Sequence, residues 1–225
     1  AHTPYRVGLP ALRAARNGFI SFAYTHADAL VCSYNGKRPY FGTNPISIVA
    51  PREKNSPFCL DMATSNIPWN KLMLLKNNNE LLENGLAADR HGNNTNDPKK
   101  AKTLTSIGSY KGYVLASGIE MLCSILTGMP FGINIDKMFT APLNKKRKLS
   151  QMYILIRIDN VISRNAFLKN LKKMTNEVRS EPAKKNKVLM PNDIQENNLK
   201  IREKKGIPID EQFYRFLKKT NKKYN

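Results

Sequence analysis

Cysteine is scarce in this chain. The 225 residues include three, Cys32, Cys59 and Cys123, odd in number and far apart. No CxxC pair occurs, which argues against a disulfide framework or a zinc site and fits a reducing, cytoplasmic setting. Long apolar runs are missing too. Nothing approaches the roughly 20 consecutive apolar residues of a membrane helix. The first residues carry no basic stretch followed by an apolar one, so no secretory signal is read. The chain opens at Ala1 rather than Met, from which a processed or truncated product is expected. Acidic residues are the third shortage: 17 Asp and Glu face 37 Lys and Arg, for a formal charge of +20 and a pI near 10.0. Apolar residues are not short. At 41% they supply a core, which excludes wholesale disorder. The length allows one large domain or two small ones.

The positive charge invites a nucleic-acid reading, because Lys and Arg that neutralise phosphates release counterions. Its distribution weakens that reading. Residues 1–143 hold 15 Lys and Arg against 9 Asp and Glu, whereas residues 144–225 hold 22 against 8. The excess sits in pairs such as Lys145–Lys146, Lys172–Lys173 and Lys218–Lys219, among asparagines and not interleaved with the aromatics that stack on bases. No helix-turn-helix, zinc finger or RNP-like strand is visible. The excess reads as a solvated face.

Alternating elements point to an α/β domain with a mixed sheet and flanking helices. Ala11 to Asn17 reads as a helix stopped by Asn17-Gly18. Phe19 to Thr25, Ile46 to Ala50, Pro57 to Asp61 and Met152 to Ile158 read as strands, with a turn at Asn35-Gly36. Trp69 to Lys76 reads as a helix, and Gly85 to Pro98 as a long polar loop. Gly108-Ser-Tyr-Lys-Gly112 opens the best helix, with Leu115, Ile119, Leu122 and Leu126 at helical spacing and Gly128 at its end. Ala116, Ser117 and Gly118 give it one face thin enough for close packing. Asn165 to Arg179, Asp193 to Lys205 and Asp210 to Lys219 read as helices, with a linker-like break at Pro182 to Lys187.

Several catalytic patterns are absent. There is no GxGxxG after a strand, no Walker A loop, no HExxH and no GxSxG. An ordinary Rossmann domain and a serine hydrolase are both disfavoured. Gly108 to Gly112 at a helix start could hold an anion, since glycines admit close approach, helix N-terminal amides point outward and Lys111 adds charge. Read alone, it is equally a capped core helix with a solvated lysine. Of the three histidines, His91 lies in the polar loop, His26 just past a strand end, and His2 at the terminus. Nothing in their spacing indicates a metal.

The series Gly42-Thr-Asn-Pro45, Leu60-Asp-Met-Ala-Thr-Ser65, Pro68-Trp69, Gly92 to Pro98, Tyr110-Lys-Gly-Tyr113 and Gly206-Ile-Pro-Ile209 resembles the type 2 malate/L-lactate dehydrogenase family. That family includes ureidoglycolate and sulfolactate dehydrogenases. The resemblance runs from His2 to about Lys218 and implies a non-Rossmann NAD(P)-binding fold, with NAD or NADP as cofactor. It implies hydride transfer between a 2-hydroxy acid and its 2-oxo acid, in a cytoplasmic homodimer with no membrane or nucleic-acid partner. His2 falls at the family's catalytic histidine. Ala27, Asp28, Asp61, Met62, Ala63 and Lys111 fall at cofactor contacts. So do Asn192, Asp193 and Ile194, where Pro191-Asn-Asp193 replaces a Pro-Gly-acid turn; Asn tolerates the positive φ such a turn needs. Arg147 would face a substrate carboxylate, or else is one more surface basic residue. The implied organisation is a cofactor-binding core over 1–180 and a helical segment over 181–225 that completes the site. The family's preceding helical segment is absent from this sequence. The alternatives are a basic nucleic-acid-binding protein or an inactive truncated remnant of the family.

Overall fold

The computed structural model describes residues 5–52, 56–142, 144–209 and 211–224. It divides into two compact units, Ala1–Lys172 and Lys173–Asn225. The division falls within a helix, ahead of the break at 180/181 read from the sequence.

The first unit is built on two four-stranded sheets. The larger has the order β5-β4-β1-β8, from β1 (Phe19–Thr25), β4 (Ile46–Ala50), β5 (Phe58–Met62) and β8 (Gln151–Arg157). All three of its pairings are antiparallel. The smaller has the order β3-β2-β7-β6, from β2 (Val31–Cys32), β3 (Pro39–Phe41), β6 (Ala87–Ala88) and β7 (Thr103–Leu104). Only here is the sheet mixed, since β2 runs parallel to β7. The α/β class holds, with its parallel pairing confined to one short contact. Among the described residues there is no doubly wound parallel sheet, in keeping with the missing glycine fingerprint.

Helix α1 (Tyr5–Arg16) lies on the larger sheet through small side chains. Ala11, Ala15, Ala23 and Val49 are fully buried together, and the Ser21 hydroxyl donates to the Ala11 carbonyl at 2.9 Å. The alanines let helix and strand backbones approach closely. Pro10 marks no boundary: it lies inside α1, which runs back to Tyr5. The core of the smaller sheet gathers Leu30, Val31, Ile67, Leu72, Leu82, Ala87 and Leu104, with Leu72 from α2 (Trp69–Asn78).

Helix α3 (Tyr110–Glu120) passes directly into a π-helical turn, Met121–Ile125. Gly112 is obligatory near its start, because a Cβ there would sit 2.2 Å from the Ile107 carbonyl oxygen. The expected apolar stripe does not continue through the π turn. Ile119 is 2% exposed, whereas Leu126 is 68% exposed. A π turn inserts an extra residue and rotates every later side chain away from the 3.6-residue phase. The thin face is used at Ala116, which is buried. A Cβ on Gly118 would meet nothing within 4 Å.

The second unit contains the later part of α4 (Arg164–Ser180), then α5 (Asp193–Lys205) and α6 (Glu211–Tyr224). No helix among the described residues is long and apolar enough to cross a membrane.

Candidate functional site

Three of the candidate segments converge on the turn Gly42-Thr-Asn-Pro45. The first is the exit of β1. The backbone N–H of Ala27 donates to the Asn44 side-chain oxygen at 3.2 Å. The second is the exit of β5, where the Thr64 backbone N–H and hydroxyl donate to the Thr43 carbonyl at 2.9 and 3.1 Å. The third is the start of α3: the Ile107 N–H donates to the Thr64 carbonyl at 2.9 Å, and Asn44 reaches the helix body. Its side-chain amide donates to the Ala116 carbonyl at 3.0 Å and to Glu120 Oε2 at 2.7 Å. One turn therefore ties together the segments bearing Ala27 and Asp28, Asp61 to Ala63, and Lys111.

Within this frame the candidates differ in availability. Asp28 is buried and already engaged: Arg147 Nη1 donates to its Oδ1 at 3.1 Å, and the Met138 N–H to its Oδ2 at 3.1 Å. The two residues expected to meet cofactor and substrate thus meet each other. Asp61 is the opposite case. It lies opposite Ser47 in the β4–β5 pairing, and burial pushes its carboxyl from 3.8 up to about 6. Helix α1 packs closely over it at Gly8, where an added Cβ would lie 3.1 Å from Asp61 Oδ2 and 3.7 Å from Ser47 Oγ. The buried Ser47 hydroxyl lies against the Cys59 thiol. Burial together with Asp61 raises that thiol to about 11, with Ser47 opposing the shift. Met62 is exposed and Ala63 half-buried. Lys111 is exposed on the first turn of α3, two residues after Ser109 (φ 58°), which with Gly108 (φ 56°) lies in the positive-φ half of the map.

Asn192, Asp193 and Ile194 belong to the second unit, at the start of α5. Asn192 adopts φ 78°, so asparagine does supply the positive-φ turn. Asp193 receives Arg179 in a two-pronged pair, Nε to Oδ2 at 3.0 Å and Nη2 to Oδ1 at 2.5 Å, and also accepts the Met190 N–H at 3.0 Å. Ile194 is exposed. His2 lies outside the described residues.

The other histidines take different places. His91 is exposed and accepts from Arg90 Nε at 2.9 Å. His26 is 1% exposed, with the backbone of Ser150 and Pro130 beside its ring. Burial lowers its pKa from 6.5; the charge of Glu120 and the backbone of Ser150 and Pro130 oppose that shift without overcoming it. A lowered histidine pKa means that the unfolded chain takes up protons the folded chain refuses once pH falls below about 6.5. Replacing His26 by Gln should therefore flatten the loss of stability between pH 7 and pH 5, read as the difference between variant and wild type in urea unfolding. Parallel curves for the two proteins would show that His26 does not titrate this way.

An open cavity of about 530 Å³ lies beside the smaller sheet, with Tyr34, Lys37, Asn66, His91, Ser109 and Tyr113 among its walls. None of the candidate residues lines it. Among the described residues no three His, Cys, Asp or Glu side chains are grouped to hold a metal.

Sequence reasoning missed Asn44 and Glu120. Asn44 sits inside a quoted motif but precedes a proline, which made it read only as the lead into β4. Glu120 did carry a signal, being an acid four residues after Ala116 on a helix that is otherwise apolar there, where unpaired charge is rarely buried.

A family model described as malate/L-lactate dehydrogenase matches residues 2–218. The chain belongs to the malate/L-lactate dehydrogenase family. It is similar to the ureidoglycolate dehydrogenase (NAD(+)) of Escherichia coli K12, 31% identical over 207 residues, which cover 91% of this chain and 59% of that one. The (2R)-3-sulfolactate dehydrogenase (NADP(+)) of Chromohalobacter salexigens is 36% identical over 134 residues, 59% of this chain and 40% of its own. Among solved structures, sulfolactate dehydrogenase from Methanocaldococcus jannaschii superimposes with a TM-score of 0.83 at 31% identity, over 94% of this chain and 61% of that one. The chain thus spans about three fifths of the longest-matching of these relatives, or less. In this malate/L-lactate dehydrogenase-type fold the larger sheet is antiparallel, where a Rossmann domain has a parallel one.

Proposed function

We propose that this chain is the cofactor-holding part of an NAD(P)-dependent oxidoreductase that interconverts a 2-hydroxy acid and its 2-oxo acid. The observation that carries this reading is the convergence of three candidate segments on one buried turn, Gly42–Pro45. Two features fit a dinucleotide. Asp61 is a carboxylate with its pKa raised to about 6, opposite Ser47 in the β4–β5 pairing, suited to accept from a ribose hydroxyl. Lys111 is an exposed cation on the first turn of a helix, where phosphate is favoured. The bound nicotinamide would supply the hydride acceptor or donor.

His2 would exchange the hydroxyl proton with the substrate. Arg147 would meet a substrate carboxylate by giving up its bond to Asp28. Asn192, Asp193 and Ile194 would contribute further cofactor contacts. The substrate class follows from what ureidoglycolate, malate and sulfolactate share, a hydroxyl on the carbon next to a carboxylate. Relatives named for NAD(+) and for NADP(+) both occur, and the working form is proposed as a cytoplasmic homodimer.

The reading is tested by following NADH and NADPH oxidation against a panel of 2-oxo acids. His2→Ala should abolish turnover and leave cofactor affinity within about twofold. Lys111→Ala should weaken cofactor binding by roughly tenfold, about 1.4 kcal/mol. Full turnover in His2→Ala would remove that residue from the chemistry, and unchanged affinity in Lys111→Ala would remove the lysine from the site.

A further inference from the structure

Asn44 of the Gly42–Pro45 turn is paired with Glu120 of α3, and neither residue is itself a candidate ligand position. Asn44 is 0% exposed, Glu120 3% and Ala27 2%. Groups so deeply buried are destabilising unless every donor and acceptor is matched, and here the matching is complete in one direction only. The Ala27 N–H can only donate, so the Asn44 oxygen must face it at 3.2 Å. The Ala116 carbonyl can only accept, so the Asn44 nitrogen must face it at 3.0 Å. That same nitrogen donates to Glu120 Oε2 at 2.7 Å, and Glu120 Oε1 accepts the Gly132 N–H at 2.7 Å. The carboxylate is therefore the acceptor at both ends, a role no neutral side chain of its shape fills.

Independent geometry presses residue 27 against the same turn. A Cβ at Gly42 would lie 2.4 Å from the Ala27 carbonyl oxygen, so only glycine lets the two backbones approach. Asn44 itself is held at φ 26°, and Gly132 at φ 56° against the Tyr40 ring, 2.8 Å from where its Cβ would be. Such closely packed segments leave the tether little freedom to relax.

We infer that Glu120 and Asn44 are positioning residues: the buried carboxylate fixes the orientation of the Asn44 amide, and the amide holds the Ala27–Asp28 segment at a set height over α3. Resting on the cofactor reading above, this makes cofactor affinity depend on a carboxylate that never reaches the cofactor. Glu120→Gln isolates the effect, because it keeps the shape and removes one acceptor. Its amide must turn a nitrogen either to the Gly132 N–H or to the Asn44 nitrogen. If Asn44 then flips to accept, its nitrogen faces the Ala27 N–H. In the double variant Asn44→Asp, Glu120→Gln the pattern is partly repaired. One Asp oxygen accepts from Ala27, the other from the Gln nitrogen, and the Gln oxygen accepts from Gly132, while the second Asp oxygen now faces the Ala116 carbonyl, acceptor to acceptor.

The experiment measures amide exchange at Ala27 by NMR on the full chain without cofactor, the titration of His26, and NADH affinity by calorimetry. Glu120→Gln should speed exchange at Ala27 at least tenfold, move the His26 titration to lower pH by removing the opposing charge, and weaken NADH by about tenfold. The double variant should recover part of the protection and affinity. Wild-type exchange at Ala27 in Glu120→Gln would overturn the inference, as would a double variant no better than the single one. If wild type binds no cofactor while the exchange pattern follows the rescue, the tether stands and the cofactor reading fails.

Discussion

Asp28→Ala should lower the stability of the chain by about 3 kcal/mol, the scale for stripping one partner from a mostly buried ion pair. The Arg147 side chain is 20% exposed and that of Asp28 2%, so removing the acid leaves a guanidinium with little access to water. The Met138 N–H loses its acceptor at the same time, which adds to the effect. Because part of Arg147 reaches solvent, the low end of the usual range applies. Arg147→Met should cost at least as much, since it leaves the more deeply buried Asp28 carboxylate with the Met138 N–H as its remaining donor of the two. A double-mutant cycle in urea unfolding reads the coupling between them. Additive single effects would show that the pair contributes nothing. The result bears on function, because a strong pair means that a substrate carboxylate must compete with Asp28 for Arg147.

Asp61→Asn should act in the opposite direction on stability. Burial raises this carboxyl from 3.8 to about 6, so the folded chain binds its proton more tightly than the unfolded chain does. Its stabilising contribution is present below about pH 3.8 and is lost as pH rises through 6. At pH 7.5 the folded state holds a charge it disfavours, by about 3 kcal/mol at 1.36 kcal/mol for each unit of pKa. The neutral amide avoids most of that penalty. We expect a gain of roughly 2 kcal/mol at pH 7.5 and almost none at pH 4, measured by urea unfolding at both. An equal gain at both pH values would show that charge burial is not the cause. On the proposed function the same variant should bind NADH at least tenfold more weakly. A carboxylate kept where it destabilises the fold is what a site that trades stability for binding looks like.

Much of the larger sheet was legible because its strands carry five to seven β-favouring residues between clear breakers. β1 and β4 match the residues read from sequence, as α5 does. The smaller sheet was not legible. Its strands are two or three residues long, too short for alternation to show, and three of its four pairing elements fall in stretches rich in turn residues or flanking them. Leu126 misled because sequence spacing assumes a constant 3.6-residue period, which the π turn after Glu120 breaks. At the site, the candidates came from a resemblance to a family, whereas the junction that gathers them came from geometry. Asn44 and Glu120 are 76 positions apart in the chain, and no local pattern joins them. The Asp28–Arg147 pair spans 119 positions and was equally invisible.

The most direct test of the account is calorimetric titration of this chain with NADH and NADPH, at low salt and again at moderate salt. The formal charge of +20 attracts any dinucleotide, and such non-specific attraction is screened within about 10 Å at 0.1 M salt. The account predicts saturable binding of at least one cofactor, with one site per chain and affinity that changes by no more than a few fold between the two salts. Absence of binding, or binding that moderate salt erases, would contradict it.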